Sequence, residues 1–159
     1  MPPPHEGRRL YALKISDTVG ADEDEPNIAI LGGHHAREVN TQVMAIEAAR
    51  RLLDDYAGAG ALKHLVDACE IWVVPVVNPD GLEHVWNVDN YWRKNRRPNA
   101  GGSFGVDLNR NYPFRWKQCG YSTNPASDTY CGPSAASEPC VRTVIEFAEK
   151  IGRASCRER

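Results

Sequence analysis

Two short apolar runs bracketing one long amphipathic run constrain this chain more than any other feature. Asn27-Ile28-Ala29-Ile30-Leu31 has no polar alternation, which predicts a strand covered on both faces. From Val39, apolar residues recur at Val43, Ile46, Ala49 and Leu53, with Ala45, Leu52 and Tyr56 widening the stripe. That spacing predicts a helix over residues 39–56, capped by Asn40 or Thr41 and broken by Gly58 and Gly60. Residues 61–68 can add a short helical turn, and the apolar run 71–77 predicts the next strand. Strand, helix and strand in that order imply a right-handed crossover and parallel pairing. Pro75 inside the second run indicates a bulge or an edge position, and Asn78-Pro79-Asp80-Gly81 ends it.

Upstream, Tyr11, Leu13 and Ile15 alternate with Ala12 and Lys14, the pattern of a half-buried strand. An acidic turn follows over residues 16–26. Downstream, residues 83–128 show little periodicity, and a stretch that long inside one domain is usually a functional loop region. Its aromatics, among them Trp86, Trp92, Tyr112 and Trp116, argue against disorder. A last helix is expected from about Glu138, capped by Ser137 or Ser134, with Val141, Val144, Ile145 and Ala148 on one face.

At 159 residues the chain has the length of one domain, and 42% hydrophobic with 25% charged residues is ordinary for a soluble protein. No run approaches the roughly 18 apolar residues of a membrane span. A net charge of −2 gives no reason to expect nucleic acid, and Met1-Pro2-Pro3-Pro4-His5 has no signal-peptide pattern. Residues 151–159 (IGRASCRER) look foreign, because the helical pattern before them stops and they back-translate to a common sequencing adapter. We therefore expect a domain over residues 6–150 and a non-native tail. Outside the tail the cysteines are Cys69, Cys119, Cys131 and Cys140.

Gly32-Gly33-His34-His35-Ala36-Arg37-Glu38 lies at the exit of the first strand, where open α/β sheets bind ligands. Catalytic zinc commonly takes two His and one Glu and keeps one position open. His35 and Glu38, three apart, can supply two of these. Taken alone, the pair reads equally as a loop histidine and a helix-start glutamate favoured by the helix dipole. Tyr91-Trp92-Arg93-Lys94-Asn95-Arg96-Arg97 alone reads as a charged loop. Val106-Asp107-Leu108-Asn109-Arg110-Asn111-Tyr112 alone reads as a polar turn.

Together, Gly33-His34-His35-Ala36-Arg37-Glu38, Asn78-Pro79-Asp80-Gly81, Trp92-Arg93-Lys94-Asn95-Arg96 and Asp107-Leu108-Asn109-Arg110-Asn111 come in one order and spacing. In these the chain resembles the zinc metallocarboxypeptidases of the carboxypeptidase A/T type over residues 6–150. Thr129 to Pro139 also look like that family's approach to its next helix. The resemblance implies a three-layer α/β/α sandwich on a mixed, mostly parallel sheet, here truncated. It implies one Zn2+ per intact domain, held in part by His35 and Glu38, with Asp107 bonding the ligand histidine. It implies that Arg96 stabilises the oxyanion, that Asn109 and Arg110 grip the substrate's terminal carboxylate, and that Arg37 and Arg93 are auxiliary channel arginines. The expected partners are peptide or protein C-termini, with no nucleic acid and no membrane, for a secreted, monomeric parent.

The family's third ligand and general base have no counterpart before residue 150, and His5, His64 and His84 lie outside matching contexts. The chain as given is therefore expected to be inactive. Cys119 and Cys131 flank an Asn/Ser-rich loop and can close a disulfide, although four cysteines allow three full pairings. Cys69 reads as a free core thiol, and no Cys-x-x-Cys spacing suggests cysteine ligation. Two other readings are an amidase of N-acyl amino acids and a non-catalytic carboxylate-binding remnant.

Overall fold

The computed structural model describes residues 4–154. Its elements are β1 (Leu13–Ile15), β2 (Asn27–Leu31), α1 (Val39–Ala57), α2 (Lys63–Val66), β3 (Glu70–Val74), α3 (Pro79–Asn87) and α4 (Pro139–Ala154), with a 3-10 turn at Leu108–Arg110. The sheet order is β1-β3-β2. Central β3 runs parallel to β2, as the crossover requires, and antiparallel to β1. Alternation along β3 then divides the core in two. Ile71 and Val73 join Ile15, Ala45, Ala49, Leu52 and Val66 under α1 and α2. On the other face, Val74 packs with Val77, Leu108, Cys140, Val141 and Val144, and Trp72 meets Phe147 of α4 edge-on at 5.4 Å. Helices thus cover both faces of a mixed sheet.

Several boundaries differ from expectation. β3 stops at Val74 rather than residue 77, because Pro75 carries no N–H for the ladder. β2 is an edge strand, with Ile28 39% and Leu31 36% exposed, instead of covered on both faces. On α1 the buried stripe is Gln42, Ala45, Ala49, Leu52 and Asp55, while Val43, Met44, Ile46 and Leu53 face outward. The helix carries two apolar stripes, and periodicity alone does not say which one is covered.

Neither Asn40 nor Thr41 caps α1, which starts at Val39. Thr41 Oγ1 instead donates to the Glu38 carbonyl (2.7 Å) and accepts from Gly33 N–H (3.0 Å), tying the helix start to the preceding loop. α3 was not expected. Asn78 caps it by accepting from Gly81 N–H at 3.0 Å, with Pro79 in the first turn, so the tetrapeptide that ends one element opens the next. α4 continues past Lys150 to Ala154 with Ile151 buried, so no helix end marks the expected start of a tail. Residues 155–159 lie outside the described residues. No described helix is long and apolar enough to cross a membrane.

Candidate metal centre

The loop after β2 stays paired to the chain beyond β3. Gly32 N–H donates to Val74 O, and the amides of Val77 and Asn78 donate to Gly32 O and Gly33 O. The approach is tight: Gly33 has φ +66°, and a Cβ there would lie 3.2 Å from Val76 Cα. That pairing carries His34 to Glu38 over the carboxyl end of β3.

Here buried His35 stands between two carboxylates. Its Nδ1 is 3.0 Å from Glu38 Oε1, and its Nε2 is 3.1 Å from Asp107 Oδ1. A neutral imidazole has one N–H, so it can donate to only one of them. Asp107 is wholly buried and also takes Arg93 Nε (3.2 Å) and Nη2 (3.0 Å) on Oδ2. Burial pushes the Asp107 pKa up, but the bonds from His35 and the charge of Arg93 leave it below the usual carboxylate range. If Nε2–H donates to Asp107, the Nδ1 lone pair faces the Glu38 carboxylate, and a cation between them would satisfy both. An imidazole nitrogen, a carboxylate and an acid on the far ring nitrogen are the donor set that zinc takes. The residues fit two of three ligands. Among the described residues no second histidine joins them. His5 pairs with Glu138, His64 bonds Ala61 O, and His84 meets Trp92 edge-on at 4.9 Å. His34 turns away to the Tyr112 hydroxyl at 2.8 Å, and burial followed by the nearby His35 lowers its pKa.

Of the loop's arginines, Arg93 rather than Arg96 lies beside His35, Glu38 and Asp107. Arg93 faces the centre, bidentate on Asp107 and with Nη1 3.5 Å from Glu38 Oε1. Arg96 lies on the opposite side, stacked over the rings of Trp92 (4.8 Å) and Phe104 (4.7 Å) and paired with Glu6. The cause is local. The loop bends at Lys94 and is bonded to residues 104–106, and its contacts sort the side chains: Lys94 and Arg96 gather on Trp92, whereas Arg93 meets Asp107 and Asn95 and Arg97 meet Glu138. Arg93 and Arg96 thus lie on opposite sides of the loop.

Asn109 and Arg110 sit on the 3-10 turn that Asp107 caps by accepting from Asn109 N–H. Asn109 is exposed, and Arg110 Nε is held by Gly120 O at 2.7 Å. Arg37 lies at the rim, donating to Tyr91 O and pairing with Asp128. Cys119 and Cys131 are free thiols rather than the expected disulfide. Cys119 is exposed, whereas Cys131 is buried with its thiol toward Gly132 O. The loop between them is closed instead by backbone bonds from Ser122 N–H to Thr129 O and from Cys131 N–H to Ser122 O.

Residue-type reasoning gave no role to four buried polar groups that hold this centre. Asn78 Nδ2 donates to both His34 O and Lys94 O. Asn95 Oδ1 accepts from Val106 N–H at 2.7 Å, and Asn111 Nδ2 reaches Cys131 O, Ser134 O and Ser137 Oγ. The Glu138 carboxylate takes His5, Asn95, Arg97 and Ser137. Their one signal was their position inside the quoted motifs.

Residues 4–156 match the zinc carboxypeptidase family. A metallocarboxypeptidase A of Trichophyton tonsurans is 43% identical over 148 residues, 92% of this chain and 35% of that protein. A zinc carboxypeptidase of Saccharothrix mutabilis subsp. capreolus is 42% identical over 118 residues, 73% of this chain and 27% of that protein. Among solved structures, carboxypeptidase A from Helicoverpa armigera superposes with a TM-score of 0.84 at 32% identity, covering 93% of this chain and 36% of that one. Thrombin-activatable fibrinolysis inhibitor gives 0.85 at 31% identity over 93% of this chain and 37% of that one. The chain spans about a third of the length of the curated relatives it matches.

Proposed function

The chain belongs to the zinc carboxypeptidase family, and from that premise we propose that it is the N-terminal part of a catalytic domain that removes C-terminal residues from peptides. The observation that carries the reading is His35 held between Glu38 and Asp107 with Arg93 alongside. His35 Nδ1 and Glu38 would hold zinc, and Asp107 keeps the ring in the tautomer that presents Nδ1. When bound, zinc supplies Lewis acidity for the scissile carbonyl and an acidified water.

Arg93, with its fork beside Glu38, is the group placed to take up negative charge on that carbonyl. This role passes to it from Arg96, which faces the other way. Asn109 and Arg110 are proposed to receive the terminal carboxylate, since a planar guanidinium binds carboxylate in two places.

Three features support incompleteness of the domain. β2 has an open edge, α1 shows an outward apolar stripe, and Gln42 Nε2 is buried without a hydrogen-bond partner among the described residues. This chain alone is then inactive for want of a third ligand. Secretion and a monomeric state belong to the same proposal and are read out by where the intact protein accumulates and by its mass in solution.

The test is to express the intact parent, measure its zinc content, and assay peptides with free and amidated C-termini. One zinc per molecule and hydrolysis of the free-carboxylate peptide alone are expected. Faster turnover of N-acyl amino acids than of peptides would replace the reading with an amidase. Binding of the free C-terminus without hydrolysis would replace it with a carboxylate-binding remnant.

A further inference from the structure

The two loops that carry Arg93 and Asp107 come from different parts of the chain, and neither is a regular strand. What fixes their relative position is a chain of buried polar contacts ending on Glu138. Asn95 N–H donates to Val106 O (3.0 Å), and Asn95 Oδ1 accepts from Val106 N–H (2.7 Å), so one residue grips both backbone groups of Val106. Arg93 lies two residues before that clip and Asp107 one residue after it. The clip works only while the Asn95 amide points its oxygen at Val106.

An asparagine amide can flip at little cost unless its NH2 has an obligatory acceptor. That acceptor is Glu138 Oε2, 2.7 Å from Asn95 Nδ2. Glu138 has no exposed surface, and its backbone is anchored as well: its N–H donates to Asn111 Oδ1 at 3.0 Å, and its carbonyl receives Arg142 N–H in the first turn of α4. The Glu138 side chain thus grips the Arg93 loop while its backbone grips the end of the Asp107 segment.

We propose that Glu138 is a positioning residue for the Arg93–Asp107–His35 constellation, acting through the orientation it imposes on the Asn95 amide. The proposal rests on the functional reading above for its catalytic consequence, but its structural consequence stands apart from it. Glu138 touches neither substrate nor metal. Its carboxylate accepts from four donors at once, and no neutral residue of that size can do so.

The test compares Glu138→Gln, Asn95→Asp and the double variant Asn95→Asp/Glu138→Gln, with His5→Ala as a control. The double variant restores a donor–acceptor pair with reversed polarity. The new amide at position 138 donates to the new carboxylate at position 95, which still presents an oxygen to Val106 N–H. His5→Ala removes a Glu138 bond without touching Asn95. In the 159-residue chain the readout is the Arg93 Nε–H resonance, which the Asp107 bond protects from solvent exchange. In the intact parent it is kcat and KM on a peptide with a free C-terminus.

Glu138→Gln is expected to expose Arg93 Nε–H and to lower kcat by about 10–100-fold, the usual cost of losing support behind a metal ligand. The double variant is expected to recover most of both losses, and His5→Ala to lower stability with kcat unchanged. An unaltered Arg93 signal in Glu138→Gln overturns the proposal. So does a double variant no better than the worse single one, or a His5→Ala variant that loses as much kcat as Glu138→Gln. A wild-type parent that hydrolyses nothing would defeat the functional reading alone, because the Arg93 signal still reports the positioning.

Discussion

Replacing each arginine of the basic loop separates the two faces of that loop. Arg93 is 13% exposed at its side chain, forks onto Asp107 at 3.0 and 3.2 Å, and reaches Glu38 at 3.5 Å. Removing a single preorganised donor to a developing oxyanion costs roughly 10²–10³ in kcat, or about 3–4 kcal/mol. Arg93→Ala in the intact parent should fall in that range. Arg93→Lys should recover little, since an ammonium cannot reproduce the two-point contact with Asp107.

Arg96 makes no contact with His35, Glu38 or Asp107. Its stacking on two rings and its pair with Glu6 are worth on the order of 1–2 kcal/mol of stability. Arg96→Ala should therefore lower Tm and leave kcat unchanged. Steady-state kinetics and thermal unfolding on the same preparations decide the matter. A hundredfold loss of kcat in Arg96→Ala, with Arg93→Ala near wild type, would refute the assignment.

Acid unfolding provides a second measurement. Burial raises the Glu138 pKa, but bonds from His5, Ser137, Asn95 and Arg97 bring it from 4.5 down to about 2. A folded pKa below the unfolded one contributes stability above pH 4.5 that is lost as pH falls toward 2, here about 3 kcal/mol. Glu138→Gln should flatten the stability profile of the chain in that window, and an unchanged slope would contradict it. Alkylation with peptide mapping should label Cys119 in the native chain and spare Cys131 and Cys140; joint protection of Cys119 and Cys131, reversed by reductant, would restore the disulfide. Gly105 has φ +88°, and a Cβ there would lie 2.6 Å from Asn95 O and Lys94 Cβ, whereas Gly7, at φ +84°, has nothing within 4 Å. In urea unfolding, Gly105→Ala should therefore cost more than the roughly 1–2 kcal/mol of backbone strain alone expected for Gly7→Ala, and equal costs would show that the two loops are not closely packed there.

The strand-helix-strand unit and its glycine-rich exit loop were legible because each rests on short-range rules: apolar runs, helical spacing and the φ freedom of glycine. α3 was not, because nine residues opened by Asn78-Pro79 look the same as a strand ending in a turn. The burial of α1 was misjudged for a different reason. Val43, Ile46 and Leu53 are as apolar as Ala45, Ala49 and Leu52, and only the sheet decides which stripe is covered. The chain spans about a third of the length of the curated relatives it matches, and in it the α1 stripe of Val43, Ile46 and Leu53 and the edge of β2 lie open.

The metal centre shows where reading by motif stops and geometry takes over. His35 and Glu38 were candidates by residue type and spacing, since few residues ligate zinc, whereas Asp107 was a candidate only through the resemblance to the family. The arginines could not be sorted that way, because Arg93 and Arg96 are chemically identical and differ only in the side of the loop they occupy. Asn95 and Arg97 of the same loop both meet Glu138. A single local fact, the path of the backbone over residues 92–97 against residues 104–106, therefore assigns the arginine at the centre and identifies the buried carboxylate behind it. A helical or slipped conformation of this loop would undo both assignments together, so the Arg93 and Glu138 variants should stand or fall as a pair.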